Sequence, residues 1–408
     1  MRLGFGLSRE LWLVQIGVFL NTLGWGAVLP FEVIYLHNGR GLSLGMSGLV
    51  VGTLTGVGVV AAPLSGPLID RFGARACATG AGIALAAGYG WLAFVRSPLP
   101  AFAAATIAGA GNGALNPSQS TLLATLAPPE LRHRATAVAR VATNAGFGIG
   151  GAVGGLVAAY GLEGFVTLFL ANAVTYLLYV LVLRVVVRED PRSERLEGGY
   201  RLVLRDRAFL HLAAANVAVI AVGWGALPWL VPPYARNTLA IDAQLIGLLM
   251  LANAAAVVVA QVPVARFAEG RRRVVLMAAG AALIAVAFAL VTATTVTGRD
   301  GYTLLVAAAV VIGVGECFHT TALMPLVADL APPGIRGRYM AAISLSWWIG
   351  LALAPAAGTG LLAQSPQLVF TGCAALAAAA GVALLSLEPR LPAASRLTPV
   401  TRLAADRV

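Results

Sequence analysis

Four residues, Gly24-Trp25-Gly26-Ala27, return 199 positions later as Gly223-Trp224-Gly225-Ala226 in a chain with only seven tryptophans. At the same displacement Tyr35 falls on Tyr234, Asn38 on Asn237 and Gly48 on Gly247. Further on, Gly109-x-Gly111 and Leu126-Ala127-Pro128-Pro129-x-x-Arg132-x-Arg134 are echoed by Gly313-x-Gly315 and Leu330-Ala331-Pro332-Pro333-x-x-Arg336-x-Arg338. Two halves of about 200 residues built to one plan follow from this, whatever each half is made of.

Composition says what they are made of. At 59% hydrophobic and 11% charged, the chain carries more apolar surface than a soluble domain of this length buries. Apolar runs recur along it at the length of about 20 residues that a hydrocarbon core of about 30 Å requires of a spanning helix. Twelve spans are expected, at 11–36, 46–69, 75–95, 99–126, 135–160 and 164–187, then 208–235, 244–268, 274–297, 301–328, 339–363 and 367–387. The net charge of +11 is all arginine, with no lysine. Apart from Arg140, within span five, only Arg40, Arg96, Arg236 and Arg299 lie on the side of the bundle away from the termini. Positive charge gathers on the cytoplasmic side of membrane helices, so both termini are expected there, in a bacterial-type inner membrane. The basic balance is thereby assigned to topology, and a nucleic-acid partner is not expected. Cys77, Cys317 and Cys373 all fall inside spans without metal-ligating spacing and read as packing residues.

The polar stretch 188–207 separates the halves as a cytoplasmic linker, leaving six-helix bundles at 1–187 and 208–390 and a cytoplasmic tail at 391–408. Its last part, Tyr200 to Arg207, reads equally as a short surface helix or a coil. The other loops are too short to hold an extramembrane domain. Two parallel six-helix halves place a site at their interface near the midplane, opened to each side in turn by rocking.

Between spans two and three, Gly66-Pro67-Leu68-Ile69-Asp70-Arg71-Phe72-Gly73-Ala74-Arg75 resembles the G-x-x-x-D-R-x-G-R-R signature of the major facilitator superfamily. Twelve spans in six plus six, and P-P-x-x-R-x-R after spans four and ten, extend the resemblance over the chain. Gly315-Glu316 in span ten, with Ala328-Asp329-Leu330-Ala331-Pro332-Pro333 and Arg336-Gly337-Arg338-Tyr339-Met340 following, is most similar to the multidrug-efflux proton antiporters. In span five, Gly146-x-x-x-Gly150-Gly151-x-x-Gly154-Gly155 resembles the antiporter signature G-x-x-x-G-P-x-x-G-G, with Gly151 where proline is expected. The repeat partner restores that proline at Pro355, near Gly358. Gly146, Gly150 and Gly154 share a helical face where a second backbone can approach closely. Span four lacks the arginine and glutamine that many family members carry there.

The resemblance implies a cytoplasmic gate, and the residues allow one. Asp70 can face the positive end of a helix, while Arg71 and Arg75 can pair with carboxylates or helix-end carbonyls. Topology and capping alone would also account for these charges. The second copy keeps Arg266-Phe267 and Arg271 but has no acid just before Arg266, and span ten ends in Asp329 where span four has Thr125. Arg266 or Arg271 is expected to pair with Asp329, and Arg75 with Glu130 or with helix-end carbonyls.

A carboxylate near the bilayer centre costs about 2.5 to 3.5 kcal/mol on insertion scales, so it is usually functional or paired. Glu316 lies mid-span, with His319 three residues on along the same face, and the two are candidates for holding and releasing a proton. Glu32 lies on a face with Asn21, Trp25 and Tyr35 that has only apolar counterparts beside Trp224, which reads as an acidic wall or a water-exposed entrance. Asn112, Asn116, Asn144 and Asn253 either line a cavity or bond neighbouring helices. Arg140 needs a partner or water within its span. Trp25, Trp224, Phe147, Phe318, Trp347 and Trp348 offer apolar and cation-binding surface; Trp12, Trp91 and Trp229 read as interfacial anchors.

The sequence therefore reads as an all-α membrane protein and a secondary transporter, expected to be a monomer without cofactor or metal. Proton-coupled efflux of lipophilic or cationic compounds is the leading reading. A facilitator or symporter of a small metabolite, and a non-transporting membrane sensor, are the alternatives. No nucleophile and base pairing, metal cluster or phosphate loop indicates an enzyme.

Overall fold

The computed structural model describes residues 7–127, 132–187, 201–297, 301–332 and 336–398, with side-chain placement for all of these except Asp70, Ala124, Arg132, His133, Arg134, Thr136, Ala137, Arg336 and Gly337. Twelve long helices account for almost all of it. In the first half they are α1 (Arg9–Gly39), α2 (Leu44–Phe72), α3 (Ala74–Leu92), α4 (Pro98–Leu126), α5 (Arg132–Ala158) and α6 (Gly161–Val186). The second half has α7 (Arg207–Asn237), α8 (Ala243–Ala268), α9 (Arg273–Thr297), α10 (Tyr302–Leu330), α11 (Arg336–Leu353, continued through Leu362) and α12 (Pro366–Leu385).

Side-chain caps start several of them. Ser8 accepts from the Leu11 N–H, Ser43 from Met46, Asp206 from Phe209 and Ser365 from Leu368, each satisfying an otherwise orphaned first-turn donor. Ten helices are long and apolar enough to cross a membrane by length and composition. The other two are α3 and α4. In α3, only 19 residues long, Arg75 and the glycines lower the hydropathy, and in α4 its glycines, Asn112 and the run Asn116-Pro117-Ser118-Gln119-Ser120-Thr121 do the same.

Packing repeats as the sequence does. In the first half α1 lies against α5 and α6, α3 against α4 and α6, and α2 against α4; in the second half α7 lies against α11 and α12, α9 against α10 and α12, and α8 against α10. The halves meet along two further crossings, α5 with α8 and α2 with α11. Both crossings use the repeated glycine pair. A Cβ on Gly247 of α8 would strike the backbone of Gly155 in α5, and one on Gly48 of α2 would strike Pro355 and Thr359 of α11.

All these contacts lie toward the face opposite the chain termini. There Asn38 donates to Asn237 across the halves at 2.9 Å, so the repeated asparagines touch each other. Toward the terminal face α2, α5 and α8 leave Leu64, Leu68, Val141, Val259 and Val262 exposed. Inter-half hydrogen bonds among the described residues are confined to Asn38–Asn237 and one in the middle of the bundle.

The segment leading into α7 is a single tight turn at Val203–Arg205 and no surface helix; residues 188–200 lie outside the described residues. Beyond α12 the chain folds back onto the α8–α9 turn. Thr398 N donates to the Arg271 carbonyl at 2.9 Å and Arg273 N to that of Arg396 at 2.9 Å, with an antiparallel bridge between Arg272 and Leu397.

Candidate functional site

The middle inter-half bond belongs to Glu32. Only 3% exposed, its carboxylate accepts from the Tyr89 hydroxyl of α3 at 3.0 Å and from the indole N–H of Trp229 in α7 at 3.0 Å. A carboxylate so placed is neither an entrance residue nor water-exposed, and Trp229, 2% exposed, is no interfacial anchor. The reason lies in the backbone. Residues Ala221–Gly225 form a wide π turn and the helix is broken again near Leu230, so residues beyond Gly225 are rotated off the face that a regular helix would give them. Trp229 thereby comes round toward α1. Tyr89, close to the end of α3, carries a signal in the sequence, since a tyrosine inside a span needs a partner for its hydroxyl.

Beside this carboxylate lies a small cavity between the halves. Trp25, Leu29 and Glu32 of α1, Leu54 and Thr55 of α2 and Asn112 of α4 line one side; Trp229, Trp348 and Leu351 line the other. Trp348 packs against Gly58 of α2, and Trp25 meets Phe147 edge-on at 5.7 Å. Asn21 is withdrawn from this space; it is 5% exposed and accepts from the Thr22 hydroxyl.

Glu316 sits on α10 of the other half, 8% exposed, and no hydrogen bond or ion pair reaches its carboxyl among the described residues. Arg140, exposed on α5, lies within electrostatic reach of Cys317, the neighbour of Glu316 on α10. His319, fully buried, bonds Asn216 of α7 at 2.8 Å, and its ring lies 6.1 Å from that of Trp224, itself 4.9 Å from Trp347. The remaining expected cavity residues divide. Asn253 ties α8 to the Ala309 carbonyl of α10, and Asn144 bonds the Arg140 carbonyl of its own helix. Asn116 is exposed, and Phe318 is half-buried edge-on to Phe267 at 5.9 Å.

At the terminal face Gly73 adopts φ 87°, a conformation that side chains resist, and its N–H closes α2 on the Ile69 carbonyl. Arg71 lies over the Phe72 ring, Gly66 faces open space, and Arg75 donates to the Arg184 carbonyl at the end of α6. The Asp70 side chain and Glu130 lie outside the described residues. In the second half the expected ion pair changes partner. Asp329 pairs with Arg273 at 2.7 Å, and not with Arg266 or Arg271. Arg271 folds back over Phe267, 3.8 Å from its ring centroid, and donates to the Phe267 carbonyl, while Arg266 is exposed. Arg273 opens α9, is 1% exposed, and is the arginine that points toward the end of α10.

The glycine faces hold tight contacts. A Cβ at Gly146, Gly150 or Gly154 would meet the α1 backbone at Phe19, Leu23 or Ala27, and one at Gly358 would meet the Leu230 side chain of α7.

The sequence model of the Major Facilitator Superfamily matches residues 14–231 and again 212–405, one match for each half. The chain belongs to the major facilitator superfamily. Two relatives fit that membership. An uncharacterised MFS-type transporter of Bacillus subtilis, YttB, is 28% identical over 365 residues, covering 86% of this chain and 88% of its own. The multidrug resistance protein MdtH of Aeromonas hydrophila is 27% identical over 349 residues, covering 81% of each. A crystal structure of a POT family transporter in complex with 5-aminolevulinic acid superposes with a TM-score of 0.81 over 95% of this chain and 98% of its own, at 12% identity. That likeness concerns the fold. This major facilitator is thus a multi-pass membrane transporter of small molecules and not an enzyme.

Proposed function

We propose that this transporter expels lipophilic or cationic small molecules in exchange for protons, by alternating access of the central cleft, as a monomer in a bacterial-type inner membrane. On this reading the terminal face is the cytoplasmic one, the 188–207 linker joins bundles 1–187 and 208–390, and the cleft opens toward the cytoplasm. The observation that carries the reading is Glu316, a carboxyl on a residue only 8% exposed that has no hydrogen-bond or ion-pair partner among the described residues. Leaving a charge so placed is costly, and a proton or a cationic substrate relieves the cost equally. Competition for one carboxyl is an exchange mechanism. The tryptophans of the cavity beside Glu32, Trp25, Trp229 and Trp348, supply the apolar and cation-accepting surface such substrates need, and the likeness to a multidrug resistance protein points the same way.

The test is flux of a fluorescent cationic dye in proteoliposomes under an imposed pH gradient. Wild type is expected to move dye against its gradient only while the proton gradient stands. Glu316→Gln is expected to abolish uphill flux while leaving dye binding measurable. Gradient-independent flux, unchanged by Glu316→Gln, removes proton exchange through this residue. Uptake of a polar metabolite in place of dye efflux establishes the symporter or facilitator reading instead.

A further inference from the structure

His319 is held by a hydrogen-bonded chain whose direction can be worked out from its far end. The Ser346 hydroxyl of α11 has one proton, and it is donated to the Ile343 carbonyl at 2.7 Å. Toward Asn216 the same oxygen must therefore accept, which sets the amide nitrogen of Asn216 on Ser346, at 2.7 Å. The amide oxygen of Asn216 is then the atom that faces His319, at 2.8 Å from Nε2. An amide oxygen only accepts, so Nε2 carries the hydrogen. In the neutral imidazole Nδ1 is left as a lone pair. All three residues are at most 4% exposed, and Nδ1 has no hydrogen-bond partner among the described residues, Glu316 included.

We infer that Asn216 and Ser346 are positioning residues that lock His319 as the Nε2–H tautomer, so that Nδ1 stands ready to accept a hydrogen bond from the protonated carboxyl of Glu316, three residues back on the same helix. The assignment rests on the proton-exchange reading above for its consequence, though not for the tautomer itself. Its logic is selective. An imidazole lone pair attracts a carboxylic O–H and repels a carboxylate, so the locked ring favours Glu316 with its proton on. The residues facing His319 are Asn216 and Trp224 of α7 and Gly280 of α9, with Ser346 of α11 behind Asn216; the titratable groups within a turn on α10 are Glu316 and Cys317, and Arg140 of α5 is the charged group within electrostatic reach of that stretch. Sequence reading had no route to Asn216 or Ser346, since neither has a motif and they lie 103 and 27 residues from the histidine they orient.

The measurement is nitrogen NMR of protein carrying 15N-histidine, reconstituted in lipid, with His319→Gln to assign the signal among the four histidines. Wild-type His319 is expected with Nε2 protonated and Nδ1 bare. Asn216→Ala is expected to give a mixture of tautomers, and Ser346→Ala, which frees the amide to turn over, a weaker version of the same. In the dye-flux assay Asn216→Ala is expected to move the pH midpoint toward acid by about half a unit, roughly a threefold change in the protonation equilibrium. A merely structural role would lower the rate at every pH and leave the midpoint alone. A wild-type ring protonated at Nδ1, or a tautomer indifferent to Asn216→Ala, overturns the assignment whatever the flux assay gives. Flux without gradient dependence, with the Nε2–H tautomer intact, overturns the link to Glu316 together with the exchange reading and leaves the lock standing.

Discussion

Glu32 ties three helices and both halves together through one carboxylate, and the consequence is mechanical. Opening the cleft on the face opposite the termini has to separate α1 from α7, and with them the 3.0 Å bond from Trp229. A hydrogen bond to a charged group contributes about 1.5 to 3 kcal/mol, so Trp229→Phe is expected to favour the open form on that face by roughly 10- to 100-fold. Labelling of a cysteine placed at Thr55 by an impermeant reagent from that side checks this; unchanged labelling removes Glu32 from the closure. A second residue-scale expectation concerns Asp329. Removing one partner of a buried ion pair costs about 3 to 5 kcal/mol, and the pair here is buried only on its arginine side, so Asp329→Asn should lower thermal stability by less than that range while Asp329→Asn in the Arg273→Gln background adds little. Thermal unfolding of the four proteins in detergent reads the coupling. Glu32 and Glu316 were legible in the sequence because a carboxylate in an apolar run stands out. Their partners were not, because Trp229, Tyr89 and Arg273 carry no such contrast and reach their places through the third dimension.

Helices were legible to within a few residues, since the length of an apolar run and the polar breaks around it are local properties. What local properties miss is a change of phase. The π turn at Ala221–Gly225 adds a residue within α7, and every face read beyond it from a regular period is turned away from its true neighbour. The glycine motifs show the same limit from another side, because sequence gives the spacing and only the fold says which glycine is crowded. Gly150 and Gly66 both belong to recognisable motifs, yet a methyl group at Gly150 meets the α1 backbone whereas at Gly66 it meets nothing. Gly150→Ala is accordingly expected to destabilise by about 1 to 3 kcal/mol and Gly66→Ala to leave stability within about half a kcal/mol of wild type. Paired melting curves decide it, and equal losses would mean that the α1–α5 contact is looser than described.

Among the described residues the hydrogen bonds between the two halves lie away from the terminal face, and on the exchange reading that joined face is the one whose opening completes a cycle. Asn38 and Asn237 lie at its seam. With Cys77, Cys317 and Cys373 replaced, Asn38→Cys with Asn237→Cys is expected to react with a short bifunctional maleimide, and the linked protein to lose dye flux almost entirely while either single variant keeps it. Undiminished flux in the linked protein would show that this seam does not need to open. A residue meeting its own repeat counterpart lies on a two-fold axis, the one position where two identical surfaces satisfy each other without any new chemistry. The joined face therefore has the form of an isologous dimer contact between two six-helix subunits carried on one chain, so a substitution made at both Asn38 and Asn237 alters the two sides of the barrier alike.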